Sequence, residues 1–446
     1  MLKRENFPKN FLFGTATSAY QIEGAANSYG RVPSIWDDFS KTPGKIADSS
    51  NGDIACDHYH LYETDLDLIK NIGLDSYRFS ISWPRVISNR RGKINQEGLD
   101  FYDRLVDQML KRDIDPFLTL YHWDLPSFLQ EIGGWTNRDT NKHFRDYAYT
   151  VSEKLGDRVK NWITHNEMWC TSFLSHHIGM FAPGEQNLKN GFTVAHNLLL
   201  SHGLATKSLR EHSNSLKIGI APNYLPCYPA TESKLDRRAA ELYDGYFNRW
   251  FLDPLSGKDY PEDVLEFVED FMPKIETGDM ETIKQECDFI GINYYNANWY
   301  KYDESIPLLP CKKVQPDNLW FTADRDVYAK GLYDTLYRVN KDYNFKDIYI
   351  TENGAAFDDK LEIDSNGNKV CHDQGRVRFY KEHFEQASLA IKDGIPLKGY
   401  FVWSLLDNFE WAAGYTLRYG MHYTDYNTQE RIPKDSAKWL KDFINN

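Results

Sequence analysis

The stretch that decides the fold is Leu99 to Asp124, LDFYDRLVDQMLKRDIDPFLTLYHWD. In it Leu99, Tyr102, Leu105, Val106, Met109 and Leu110 recur at spacings of three and four, which gathers them on one face of a helix. The run Phe117–Tyr121 that follows is short and apolar, as a buried strand is. It ends in Tyr121-His122-Trp123-Asp124, so an apolar strand gives way abruptly to polar and aromatic chemistry.

Working outward, similar runs occur at Phe11–Phe13, Tyr77–Ile81, Trp162–Thr164, Ile218–Ala221, Phe289–Ile292, Ile348–Thr351 and Gly399–Trp403. Helical patterns lie between several of them, and alternating strand and helix implies a parallel sheet. Eight such units suit a closed barrel better than an open sheet, whose edges would need protection. The expectation is an α/β protein, a single (β/α)8 TIM barrel over 1–446 with its active site at the C-terminal strand ends. No Pro/Gly/Ser-rich linker divides the chain, and Ser305 to Asp326 reads as a long loop.

Composition narrows the function. A net charge of −13 over 446 residues would repel nucleic acid and anionic lipid, so neither is expected as a partner. No long uncharged apolar stretch suggests a membrane span. With 12 Trp and 29 Tyr the chain is rich in rings that can stack on a ligand, although a large barrel also needs bulky core fillers. Cys56, Cys170, Cys227, Cys287, Cys311 and Cys371 include no Cys-x-x-Cys pair, which points to free thiols in a reducing compartment. Lys3 and Arg4 precede a semi-apolar stretch, but Gly14, Thr15, Thr17 and Ser18 break it; it reads as a first strand, not a signal peptide, and the protein as cytoplasmic.

Barrel chemistry sits at the C-terminal ends of strands. Here those ends carry His165-Asn166-Glu167, Asn223, Asn293-Tyr294-Tyr295 and Glu352-Asn353 besides His122 and Trp123. Two carboxylates on different strands can face each other across the barrel mouth, the arrangement that glycoside hydrolysis requires, and Glu167 and Glu352 are the candidate pair. Sequence assigns neither the proton donor nor the ionised partner. Nor does it give their separation, which distinguishes retention at about 5–5.5 Å from inversion at larger distances.

The chain resembles glycoside hydrolase family 1, the β-glucosidase and β-galactosidase family, over essentially its whole length. The resemblance rests on Phe13-Gly14-Thr15-Ala16-Thr17-Ser18-Ala19-Tyr20-Gln21-Ile22-Glu23-Gly24, Tyr121-His122-Trp123, Asn166-Glu167, Asn293-Tyr294-Tyr295, Thr351-Glu352-Asn353-Gly354 and Asn408-Phe409-Glu410-Trp411, in that order. It implies a retaining β-glycosidase in which Glu352 is the nucleophile and Glu167 the acid and then base. It implies Arg78, Tyr295 and Asn293 as support for the nucleophile. Gln21, His122, Trp123, Asn166, Glu410 and Trp411 match the sugar-binding set, with Trp403 as the stacking floor. The intact Glu410 fits an unphosphorylated β-D-glucoside, or a galactoside or fucoside, because a carboxylate would repel a sugar phosphate.

Two departures fall on the leaving-group side. Met168 stands where the family usually has proline, and Arg325 falls where an aglycone-stacking Trp is expected, with Trp320 in the same loop as a substitute. Arg325 therefore suggests polar or anionic leaving groups, and His177 is read as lining the aglycone entrance. Asp57-His58-Tyr59-His60 and His176-His177 lack a zinc-site pattern, and no phosphate-cradling loop or dinucleotide fingerprint occurs, so no metal or cofactor is expected. A small β-glucoside or oligosaccharide is the expected partner, and assembly into a homo-oligomer is compatible with the sequence. The competing readings are a sugar-binding barrel without turnover and a transglycosylating β-glucosidase.

Overall fold

Eight parallel strands close on one another in chain order: β1 Leu12–Ala16, β2 Ser76–Ser80, β3 Asp115–Tyr121, β4 Asn161–Asn166, β5 Lys217–Ala221, β6 Phe289–Asn293, β7 Ile348–Asn353 and β8 Leu397–Trp403. The ring closes where β1 pairs with β8, from Leu12 opposite Gly399 to Ala16 opposite Trp403. The computed structural model describes residues 2–343 and 345–446. Helices return the chain between strands: α1 His58–Ile72, α2 Gln96–Lys111, α3 Thr140–Leu155, α4 Leu188–His212, α5 Lys234–Asp244, α6 Lys330–Tyr343, α7 Gln374–Lys392 and α8 Asp435–Asn445. Among the described residues no helix is long and apolar enough to cross a membrane.

All eight expected runs overlap barrel strands, and the differences have physical causes. The apolar pattern marks only Phe11–Phe13, but β1 begins at Leu12 and continues through Gly14 and Thr15 to Ala16. Gly14 is required there, since a Cβ would stand 2.5 Å from the Phe401 ring and 2.9 Å from the Ser76 carbonyl. Strands β4 and β7 run on through Asn166 and Asn353, polar residues that the apolar pattern hid. Ser305 to Asp326 is not simply a loop: Cys311–Val314 pairs with Asn298–Tyr302, and Trp320–Phe321 with Asp326–Val327. On α2 the expected face is buried except Leu110, which is exposed while Phe101 is buried.

Two cores result. Inside the barrel, Phe117 meets Phe401 at 4.9 Å and Tyr349 at 5.3 Å between ring centroids, and Phe289 meets Tyr349 at 5.2 Å. These rings plug the barrel below the strand ends, so the cavity above has a floor. Outside it, Leu66 and Ile69 of α1 and Leu105, Val106 and Met109 of α2 belong to the larger core between strands and helices.

The segment after β8 is pinned from beneath by buried charges. Asp407 accepts from Arg418 Nη1 at 2.7 Å and Lys434 Nζ at 2.7 Å; the same Lys434 reaches Asp359 at 2.5 Å. Arg376 joins Asp359 at 2.7 Å and also pairs with Asp373. This network fixes the loop that carries Glu410 and Trp411.

Candidate active site

Strand irregularities aim the two glutamates. The β4–β5 register shifts between Ile163 and Asn166, and the β6–β7 register between Ile350 and Glu352, both at the C-terminal ends. Such shifts re-aim side chains next to sites. Glu167 leaves β4 with a left-handed φ of 47°, held by its N–H donating to the Ala221 carbonyl at 2.8 Å. Trp123 (φ 81°) and Trp411 (φ 51°) share that conformation. It costs about 1–2 kcal/mol per non-glycine residue, and here it occurs at three residues facing one cavity.

That cavity, of about 330 Å3, is walled by Glu167, Glu352, Glu410, His122, Trp403 and Trp411 among others. Glu352 accepts from Arg78 Nη1 at 2.6 Å on one oxygen and from the Tyr295 hydroxyl at 2.7 Å on the other. Arg78 also donates to the Thr351 carbonyl at 3.1 Å, Thr119 Oγ1 at 3.1 Å and Asn166 Oδ1 at 2.6 Å. Glu167 has only neutral partners: Asn293 Nδ2 at 2.8 Å and the Cys170 thiol at 3.1 Å. Burial raises both carboxyls. Glu352 is lifted to about 7, with Arg78 pulling the other way and the charge of Glu167 adding to the rise. Two carboxyls so placed resist ionising together, and the cation and phenol direct the charge to Glu352.

One amide network orders the sugar-facing groups. Asn166 Oδ1 accepts from Arg78 and from Asn293 Nδ2 at 2.9 Å, so its Nδ2 must donate, and it meets His122 Nε2 at 3.1 Å. Accepting there leaves the proton of neutral His122 on Nδ1, a buried atom with no protein partner. Burial and Arg78 both hold His122 well below its usual range. The His122 ring lies between Trp403 and Trp411, 5.9 Å from each. Burial pushes Glu410 up to about 8, opposed by Arg325.

Gln21, Arg78 and Asn166 are almost fully buried beside the wall. Gln21 Nε2 reaches Glu410 at 3.3 Å, Asn408 at 3.0 Å and the Phe409 carbonyl at 2.9 Å, so it buttresses Glu410. Trp123 donates to the Asn166 carbonyl at 2.9 Å and packs 4.5 Å from Trp411.

Two leaving-side expectations need correction. Trp320 is outside the wall, because α7 holds its indole: the ring N–H donates to Glu382 at 3.0 Å and the face lies under Arg378 at 4.3 Å. His177 is also not on the wall; it packs against Gly191 of α4. Arg325 does face the cavity, but its charge is met by Asp324 at 2.5 Å. The wall includes instead Trp169, stacked 4.4 Å from Phe247, with Tyr243 and Leu174. Cys170 was legible in principle, three residues after Glu167 on a helical turn; Phe247 and Tyr243 carried no such signal.

Among the described residues no cluster of three or more His, Cys, Asp or Glu could hold a metal ion. His58 is spent on Asp65 at 2.8 Å and His60 on Asp57 at 2.5 Å.

A closed parallel barrel with two differently supported glutamates in one cavity defines the class, and comparison with known proteins gives the family. Residues 3–446 match the model of glycosyl hydrolase family 1, and the chain belongs to that family. It is 47% identical over 445 residues to a 1,4-beta-D-glucan glucohydrolase of Thermotoga neapolitana, covering 99% of each chain. To a bifunctional beta-D-glucosidase/beta-D-fucosidase of Bifidobacterium breve it is 40% identical, covering 98% of each. A solved family 1 β-glucosidase from Thermotoga maritima superimposes with a TM-score of 0.95 at 45% identity, covering 98% of each chain.

Proposed function

We propose that the protein is a retaining β-glucosidase that removes non-reducing terminal β-D-glucosyl residues, with β-galactosyl and β-fucosyl groups as further substrates, by double displacement. The observation that carries this reading is the unequal support of the two glutamates. Glu352, between Arg78 and Tyr295, has a cation to hold it as an anion, whereas Glu167 has none among its hydrogen-bond partners, and burial favours its protonated form over the pull of the Asn293 and Cys170 donors. In the first step Glu167 protonates the leaving oxygen while Glu352 attacks the anomeric carbon. Once Glu352 is esterified its negative charge is gone, the proton affinity of Glu167 falls, and Glu167 takes a proton from the water that releases the sugar.

Glu410 and the remaining N–H of Asn166 supply hydrogen bonds for the sugar hydroxyls, Asn166 addressing the 2-hydroxyl, over the Trp403 floor and beside the His122 ring. The leaving group lies along Trp169, Phe247 and Tyr243. Six unpaired thiols support a cytoplasmic location.

Hydrolysis of an aryl β-glycoside panel, followed by NMR, gives the β-anomer first. Glu352→Gly loses at least about 10³-fold in rate, and azide restores turnover as the α-glucosyl azide. Release of the α-anomer from the parent would overturn the retaining reading. An absence of turnover on every β-hexoside would favour a sugar-binding barrel.

A further inference from the structure

Among the described residues, Arg325 is the only arginine or lysine on the cavity wall. Its Nε and Nη2 donate to the same oxygen of Asp324 at 2.8 and 2.5 Å, and Nη2 also donates to the Tyr419 hydroxyl at 2.7 Å. Tyr419 donates in turn to that Asp324 oxygen at 2.6 Å, which closes a ring of three side chains. The guanidinium carbon lies 4.8 Å from the centroid of Tyr295 and 5.8 Å from that of Tyr419. Those two rings meet edge to face at 6.3 Å and 88°. Tyr295 is the phenol that donates to Glu352.

The arrangement disfavours an anion receptor. Asp324 already takes the Nε and Nη2 donors of the guanidinium, and the ionised nucleophile Glu352 shares the wall, so an anionic leaving group gains little there. A planar cation on a phenol face, fixed at its edge by a carboxylate and a second phenol, is instead a clamp.

We propose that Arg325 is a positioning residue: with Asp324 and Tyr419 it presses on the face of Tyr295 and holds that phenol against Glu352, while its charge offsets the crowding of carboxylates around the sugar. This rests on Glu352 being the nucleophile. Arg325 also pulls Glu167 and Glu410 downward against burial, so its removal leaves both harder to ionise.

The test compares Arg325→Met, Arg325→Lys and Tyr419→Phe with the parent on aryl β-glucosides with good, poor and carboxylate-bearing leaving groups. For Arg325→Met, kcat falls about ten- to hundredfold on every substrate, and the basic limb of kcat/KM moves to higher pH. Arg325→Lys keeps the charge without the planar fork: the limb stays and kcat falls. Tyr419→Phe lowers kcat on all leaving groups alike. The proposal is overturned if kcat and the basic limb of Arg325→Met match the parent while KM rises only for the carboxylate-bearing substrate. Should Arg325→Met not fold, unchanged kcat in both other variants overturns it. Failure of the underlying reading has a different signature, a Glu352→Gly variant that keeps parental activity.

Discussion

At Glu352 two effects oppose each other: burial lifts the carboxyl to about 7, while Arg78 at 2.6 Å favours the anion. The kcat/KM profile of the parent is therefore bell-shaped, its two limbs belonging to the coupled pair. The acid limb reports the ionisation that creates the nucleophile, and the basic limb the loss of the proton on Glu167. Replacing Arg78 by Met removes the cation, so Glu352 becomes harder to ionise and the acid limb moves up by about 1–3 pH units. An acid limb that stays in place would show that Arg78 supports the strand ends alone. Arg78 was readable from sequence because a charged residue inside an apolar run needs a partner. Its bond to Asn166, and the proton placement on His122 that follows, depend on four strand ends meeting.

At the scale of elements, the loop from β8 to α8 supplies Glu410, Trp411 and Tyr419 and is held by Lys434, which is fully buried between Asp359 and Asp407. Removing one partner of such a buried network costs about 3–5 kcal/mol, so Lys434→Met lowers the melting temperature at pH 7 and raises KM. Burial works against the ionised Asp359, but Arg376 and Lys434 prevail and hold it below the usual carboxylate range. A lowered folded pKa contributes stability above the unfolded value and loses it as pH falls through the folded one. The gap in melting temperature between parent and variant thus narrows on acidification from pH 7 towards pH 3; a constant gap would mean that the network contributes packing only. Two wide helical segments of π type, Cys170–Ile178 and Gly245–Arg249, supply Cys170, Leu174 and Phe247 to the cavity wall. Such turns recur at functional sites. Apolar spacing at three and four does not reveal them, which is why Trp169 and Phe247 escaped notice.

For the whole molecule, closure makes the first strand and the last inseparable, since β1 is held between β2 and β8. We expect residues 1–446 to unfold as one unit, with far-UV circular dichroism and tryptophan fluorescence coinciding in urea. Phe117→Ala, which opens the ring stack inside the barrel, costs about 3–5 kcal/mol and shifts both signals together. Separate transitions would divide the chain into independent parts.

The eight apolar runs and the polar residues after them specified the barrel and the position of its site, because burial period and strand-end chemistry are local properties of the chain. Within the sequence, the roles of Glu167 and Glu352 rest on family resemblance alone. Tertiary structure then decided what local pattern could not: that Arg78 and Tyr295 meet Glu352, that Asn293 and Cys170 meet Glu167, that Trp320 and His177 stand off the cavity wall, and that Arg325 is tied to Asp324 and Tyr419. The physical reason is sequence distance. Arg78 and Glu352 are separated by 274 residues, and only barrel closure gives a carboxylate the neighbours that set its charge.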